Sequence, residues 1–356
     1  MTDICGVRKI IYLINPISGT RGKRSLKEMI RQKTQEQGID YSILPTNAEG
    51  DYSHLPELIR TQGVTDIVIC GGDGTVSAVA AALYKPRQSV DAGPFDKPRD
   101  ASLGATEDRL DGGAEVKLGV IPMGSGNGLA FAAGIPKDPA KALELIFAGR
   151  AAYIDGVLIN DQFSCMLCGI GMDGKVAHEF AGQQRRGLQT YIRITMRNFF
   201  SARPYPFRLC IPTDGSGQSN FPANDQERAD VPAGGQEREL SVDAFFISIA
   251  NGNQFGNNFT IAPKASLQDG LLDIVIAKKT SRLRFLWSVI RQVLGGYPIQ
   301  TAPDGKGSRR IIYFQTPSLV IENPAEAPLH IDGDPKTSAR SFRISVVPKA
   351  IQLIQP

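Results

Sequence analysis

Three short glycine-rich stretches hold the residues best suited to chemistry: "NPISG" (Asn15 to Gly19), "GGDGT" (Gly71 to Thr75) and "PMGSGNGLA" (Pro122 to Ala130). Each follows an apolar run with the character of a buried strand and comes before a helical pattern. Glycine lets a backbone turn tightly and approach a ligand closely. A turn at a helix start also presents unpaired N–H groups and the positive end of the helix dipole to an anion. That is phosphate-binding chemistry. The spacing matches neither GxGxxG nor GxxxxGK[ST], so neither a standard dinucleotide fingerprint nor a Walker loop accounts for it. Asp73 alone would repel a phosphate. It suits a magnesium ion bridging it to phosphates, a proton transfer, or a plain Asp-Gly turn, and the residues leave all three open. Ser125 and Asn127 are equipped to hydrogen-bond a nucleotide and equally to cap a helix.

The elements that must position these turns are legible as alternating patterns. Over residues 1–150, strand-like runs ("KIIYLINP", "IDYSILPT", "VTDIVICGG", "VKLGVIPM") alternate with helical stretches at Ser25 to Gln37, His54 to Gly63 and Val76 to Tyr84. Such alternation predicts βαβ units and a mainly parallel sheet, whose ligands sit at the strand C-termini. From about Tyr153, short apolar runs separated by turns predict an antiparallel sheet or sandwich, interrupted by helices near Gln183 to Phe200 and Ser281 to Leu294. The expected organisation is an α/β N-terminal domain (1–150), a β-rich sandwich domain (151–340) and a C-terminal segment (341–356) with the option of returning to the first domain. Pro86 to Glu115 and Thr213 to Arg238 lack any period and read as exposed insertions.

Composition excludes several classes. A net charge of +4 over 356 residues is too slight for a dedicated nucleic-acid binder. Five scattered cysteines argue against a disulfide framework, and Cys165 and Cys168, a lone CxxC inside an apolar run, read as core residues. No signal-peptide pattern and no apolar stretch of membrane-spanning length occurs, which predicts a cytoplasmic protein, free or resting on a membrane surface. The three histidines form no HExxH or ligand cluster, each reads as structural, and there is no GxSxG elbow.

The three turns, in this order and spacing, resemble the catalytic domain shared by diacylglycerol, sphingosine and ceramide kinases. "GIGMDGKV" (from Gly169), "DGLLDIVIAK" (from Asp269) and "HIDGDP" (from His330) are similar to that family's later motifs. The resemblance spans most of the chain outside the two insertions. It implies a two-domain lipid kinase of the NAD kinase/diacylglycerol kinase-like fold, using ATP and Mg²⁺ in the cleft between domains. Carried over by position, Gly71, Gly72, Asp73, Gly74 and Thr75 would hold the phosphates, and Asn15, Thr46, Ser125 and Asn127 would contact the nucleotide. Asp73 would serve the metal–phosphate chemistry. Asp334, with Asp332 beside it, would supply the base for the lipid hydroxyl. The family has Glu at position 334, so the shorter Asp puts its reach in question, with water or Asp332 as substitutes. A structural Mg²⁺ would fall on the Asp269 carboxylate and the carbonyls of Ser266 and Leu271.

On the substrate side the resemblance implies Asp173, with Arg185 and Arg186 near phosphate. Sphingosine kinases carry an acid where this chain has Lys175, which favours a neutral lipid alcohol and leaves a long-chain base open. The basic amphipathic stretch "TSRLRFLWSVIRQVLGGY" suits an anionic membrane surface, a lipid-pocket cap or simple packing. The expected partners are a membrane lipid, the inner face of the membrane as a peripheral contact, and no nucleic acid; a homodimer is admitted. The alternatives are an NAD kinase-like or sugar kinase, which share GGDGT, and a non-catalytic lipid or nucleotide sensor.

Overall fold

The computed structural model describes residues 8–14, 22–47, 49–84, 116–124, 126–183, 188–212, 237–253, 261–278 and 311–356. Asn15, Ser125, Arg185, Arg186, the stretch from Ser281 to Leu294, the whole insertion Pro86 to Glu115 and most of Thr213 to Arg238 lie outside these residues.

The first domain is built on four parallel strands, β1 (Lys9–Ile14), β2 (Asp40–Pro45), β3 (Asp66–Gly71) and β4 (Lys117–Pro122), in the order β2-β1-β3-β4. β1 and β3 are near-continuous apolar runs because both faces of this sheet are covered. The helices α1 (Gly22–Glu36), α2 (Leu55–Gln62), α3 (Asp73–Leu83), α4 (Gly128–Ala132) and α5 (Pro139–Ala148) accompany it. α3 begins three residues before the position its apolar period marks. Gly72 is its N-cap, so Asp73, Gly74 and Thr75 are themselves its first turn. α5 was not anticipated. It is delimited by Asp138, whose carboxylate accepts the Lys141 N–H, and by left-handed Gly149.

The second domain is antiparallel. Its strands are β5 (Ala151–Ile159), β6 (Gln162–Ser164), β7 (Leu167–Gly171), β8 (Tyr205–Pro212), β9 (Glu237–Ala250), β10 (Leu272–Lys278), β11 (Ile311–Thr316), β12 (Ser318–Glu322), β13 (Leu329–Ile331), β14 (Asp334–Lys336) and β15 (Ser341–Ile354). Glu237 and Arg238, assigned above to an insertion, instead open β9. β9 changes partner partway, pairing with β8 up to Ala244 and with β7 from Phe246. Two helices lie between β7 and β8: α7 (Leu188–Ser201), near its expected place, and α6 (Met172–Ala181), which the glycine-rich turn had hidden. Met172, Val176, Ala177 and Phe180 recur at helical spacing, and the first three are buried.

β5 and β15 bind the domains together. They pair antiparallel with each other on both sides of a break between Val347 and Ile351. Before the break β15 pairs with β12; after it, Gln352 and Leu353 pair in parallel with Lys117 and Leu118 of β4. Lys349 at the break has φ 52° and donates its N–H to Asp155, whose other oxygen accepts from Gly270. One hydrophobic core fills the first domain and extends to Phe163, Phe199 and Phe245; a second lies inside the sandwich around Phe207, Phe314 and Phe342.

Candidate active site

The turns after β3 and β4 are packed backbone to backbone. The Met123 N–H donates to the Gly71 carbonyl at 2.9 Å. A Cβ on Gly124 would lie 2.5 Å from the Cα of Gly72, and one on Gly72 would lie 3.0 Å from the Cα of Gly124. Side chains are excluded at both positions by the neighbouring strand end itself. Asn127, left-handed at φ 54° and buried, commits its amide to Gly124 in both directions, accepting the N–H at 2.9 Å and donating to the carbonyl at 2.8 Å. It fastens the turn by its side chain rather than capping α4.

Asp73 heads α3, and its carboxylate accepts backbone N–H groups of Gly128, Leu129 and Asn127 at the start of α4. Burial raises its pKa above the ordinary carboxylate value, the nearby charge of Asp332 adds to this, and the three amide bonds oppose it. Thr75 is half-buried beside it. Thr46, just beyond β2, is also half-buried and donates its N–H to the Ile14 carbonyl at 3.2 Å, at the same edge of the sheet.

The late Asp-Gly-Asp turn joins this edge from the second domain. Asp332 is buried in a left-handed conformation (φ 49°), followed by Gly333 at φ 85°. Its Oδ1 accepts from Ser164 Oγ at 2.7 Å, Leu167 N at 2.9 Å and Met166 N at 3.1 Å. Its Oδ2 accepts from Ser77 Oγ at 2.5 Å and Cys165 N at 3.2 Å. Asp332 therefore has its lone pairs filled and ties α3 to the β6–β7 turn. Asp334 differs: it is exposed, and its carboxylate lies 3.5 Å from where a Cβ on Gly74 would be. The structure thus brings together Gly71 to Thr75, Asn127, Asp332 and Asp334.

Asp173 neighbours the acidic turn through His330. It sits in the first turn of α6, largely covered, with Oδ1 accepting the Gly174 N–H at 2.9 Å and Oδ2 3.5 Å from His330 Nε2. Both side chains pack over Gly169, where a Cβ would meet Asp173 Oδ2 at 2.0 Å and His330 Nε2 at 2.4 Å. His330 Nδ1 accepts the Gly333 N–H at 3.2 Å, so in the neutral ring Nε2 carries the proton and faces Asp173. Lys175 is exposed. Ser77, Ser164 and His330 were missed as parts of the site. Ser77 stands one helical turn after Asp73, a spacing that could have flagged it; His330 opens the "HIDGDP" motif, which could have flagged it too, and nothing local marked Ser164.

Asp269, Ser266 and Leu271 lie in the turn that leads into β10. Asp269 is exposed, its Oδ1 takes the Leu271 N–H at 3.1 Å, and partial burial with the charge of Asp155 raises its pKa. Carboxylate and carbonyl oxygens are the donor type Mg²⁺ takes, but both Asp155 oxygens accept backbone N–H groups, and among the described residues no group of three or more acidic, His or Cys side chains is placed to hold a metal ion. Cys165 and Cys168 are both fully buried free thiols. Among the described residues no helix is long and apolar enough to cross a membrane.

A parallel α/β sheet with glycine turns at its C-terminal edge faces an acidic turn from a β-rich second domain. The chain matches the diacylglycerol kinase catalytic domain over residues 9–159 and the YegS C-terminal NAD kinase beta sandwich-like domain over 167–355, and it belongs to this lipid kinase family. It is 28% identical over 343 residues to the Probable lipid kinase YegS-like of Cronobacter sakazakii, covering 94% of each chain. The corresponding protein of Chromohalobacter salexigens is 24% identical over 326 residues, covering 91% of this chain and 86% of that one. The crystal structure of a diacylglycerol kinase from Bacillus anthracis shares the fold, with a TM-score of 0.63 at 18% identity over 98% of this chain and 97% of that one.

Proposed function

We propose that this chain transfers the γ-phosphoryl group of ATP to a hydroxyl of a membrane lipid. The observation that carries the reading is the approach of the Asp334 carboxylate to Gly74, which sets an exposed base beside the glycine turn best suited to hold phosphates. In this reading the nucleotide phosphates lie against the backbone of Gly71 to Thr75, and Thr46, with Asn15 and Ser125, contacts the nucleotide. Asn127 acts through the shape of the turn. The lipid oxygen attacks the γ-phosphorus, the bond to the bridging oxygen breaks, ADP leaves, and Asp334 takes the hydroxyl proton. Phosphoryl transfer depends chiefly on positioning and on neutralising the moving charge, which amide N–H groups are arranged to do.

Mg²⁺ bound with the nucleotide would supply further charge neutralisation, with Asp73 the residue to hold it; Asp269, Ser266 O and Leu271 O would hold a structural ion. Asp332 keeps the turn under Asp334 through its hydrogen bonds to Ser77, Ser164 and the backbone of residues 165–167. Asp173 stands behind the substrate face, and Arg185 and Arg186 remain the proposed phosphate contacts. The protein works at the inner face of the membrane, on cytoplasmic ATP, as a peripheral enzyme or its homodimer.

The test is ATP consumption with vesicles containing diacylglycerol, sphingosine or ceramide, with soluble NAD as a fourth acceptor. Lipid-dependent turnover with at least one vesicle type is expected. Turnover with NAD alone would establish the NAD kinase-like alternative, and nucleotide binding without any turnover would establish a sensor.

A further inference from the structure

Among the described residues three large hydrophobic side chains are exposed, Tyr191, Ile192 and Phe200, and all three belong to α7. Exposed apolar groups are ordinary when scattered singly, whereas a cluster on one element marks a contact surface. The inner side of α7 is already engaged. Ile194, Asn198 and Phe199 are buried, Asn198 donates to Glu179 of α6 at 2.8 Å, and Phe199 packs against Phe245 of β9. Tyr191 belongs with this side. Its ring meets Phe180 edge-on at 5.6 Å, and burial pushes its hydroxyl pKa up to about 12.

The outer side is different. Ile192, half-buried Met196 and Phe200 recur every fourth residue, which sets them in one ridge about 12 Å long. A second ridge at the same interval lies beside it: Gln189, Arg193 and Arg197, all exposed. Arg203, just beyond the helix, is exposed, as is Lys175 of α6, one helical turn before Glu179. Apart from Asp173, Glu179 is the one acid of α6 and α7, and its carboxylate is taken by Arg197 at 2.6 Å. The outer face therefore joins an apolar ridge to a surplus of positive charge. That is the composition of a helix lying flat in the headgroup layer of an anionic bilayer. A second copy of the chain fits less well, because a two-fold contact would set basic surface against basic surface.

We propose that the outer face of α7 docks the protein on anionic phospholipid. Ile192, Met196 and Phe200 enter the headgroup layer, and Arg193 and Arg203 meet lipid phosphates. The assignment deepens the lipid kinase reading by naming the surface that meets the membrane, and its binding test needs neither ATP nor a lipid acceptor.

The test is co-sedimentation with vesicles of phosphatidylcholine, alone or mixed with phosphatidylglycerol. Wild type should bind the mixed vesicles, and rising salt should weaken binding as charges are screened. Ile192→Ser combined with Phe200→Ser should weaken it by about tenfold or more, since both side chains lose their burial in lipid. Arg193→Gln and Arg203→Gln should each weaken it by about fivefold. Urea midpoints should match wild type, and so should transfer to diacylglycerol dispersed in detergent. No binding by wild type, or equal binding by wild type and the Ile192/Phe200 double variant, would overturn the proposal. Equal binding to the two vesicle types would overturn the anionic partner. A wild-type dimer that the double variant separates in analytical ultracentrifugation would assign the ridge to a second copy instead. A wild type inactive in detergent would defeat the kinase reading and leave the vesicle result standing.

Discussion

Two aspartates two positions apart, Asp332 and Asp334, have opposite environments, the first buried and the second exposed. Asp332 is buried and saturated with donors from Ser77, Ser164 and three backbone amides. Removing it in Asp332→Ala strands those donors, each worth about 1–3 kcal/mol when buried without a partner. The expected result is a loss of several kcal/mol in urea unfolding, whatever happens to activity. Asp334→Ala should leave the unfolding midpoint within about 0.5 kcal/mol, as surface changes do, while lowering kcat for lipid by about a hundredfold or more, the usual scale for a general base. His330 is the third residue at this scale. Its Nδ1 fixes the Gly333 amide inside the same turn. His330→Leu should lower kcat with KM for ATP unchanged, and His330→Asn, which keeps an acceptor, should recover part of the loss; equal kcat in the two variants would remove the positioning role.

At the scale of elements, the paired glycine turns are the part with least tolerance. Gly124→Ala places a Cβ 2.5 Å from the Gly72 backbone, a contact that only backbone movement relieves. A cost of about 1–3 kcal/mol is expected, together with weaker ATP binding, measurable by equilibrium dialysis. Gly74→Ala meets only ordinary contact distances and should fold like wild type. These elements also show what could be read in advance. The parallel strands and the antiparallel set followed from their apolar patterns, because burial on one or both faces writes itself into local order. α6 escaped because the glycines around its start, Gly169, Gly171 and Gly174, obscured a helical period, and α3 started early because a turn and a helix share Asp73. The site was legible as separate motifs. Its assembly was not, since the Ser77–Asp332 bond joins residues 255 positions apart, and the Asp173–His330 pair depends on a cross-strand register that sets His330 opposite Gly169.

For the whole molecule, the decisive feature is the β5–β15 pair that runs through both domains. β15 lies beside β12 in the sandwich and beside β4 in the parallel sheet, and Asp155 holds its break at Lys349. A chain lacking residues 351–356 leaves β4 without that neighbour and strips Leu353 and Ile354 from the first core. It should show a broadened, low-temperature unfolding transition and elute as aggregate in gel filtration. The first domain cut at residue 150 should behave the same way, in contrast to a domain that closes its own sheet.

The shared strand also bears on how the protein is made. Synthesis proceeds from the N-terminus at about 5–20 residues per second, so β4 leaves the ribosome on the order of ten seconds or more before the strand that flanks it. Through that interval the parallel sheet carries an open edge, and such edges invite pairing with other chains. The acidic turn that completes the cleft is also among the later segments to emerge. The chain thus brings these parts together only after β15 has been made, and a shorter nascent fragment holds glycine turns with no carboxylate to face them.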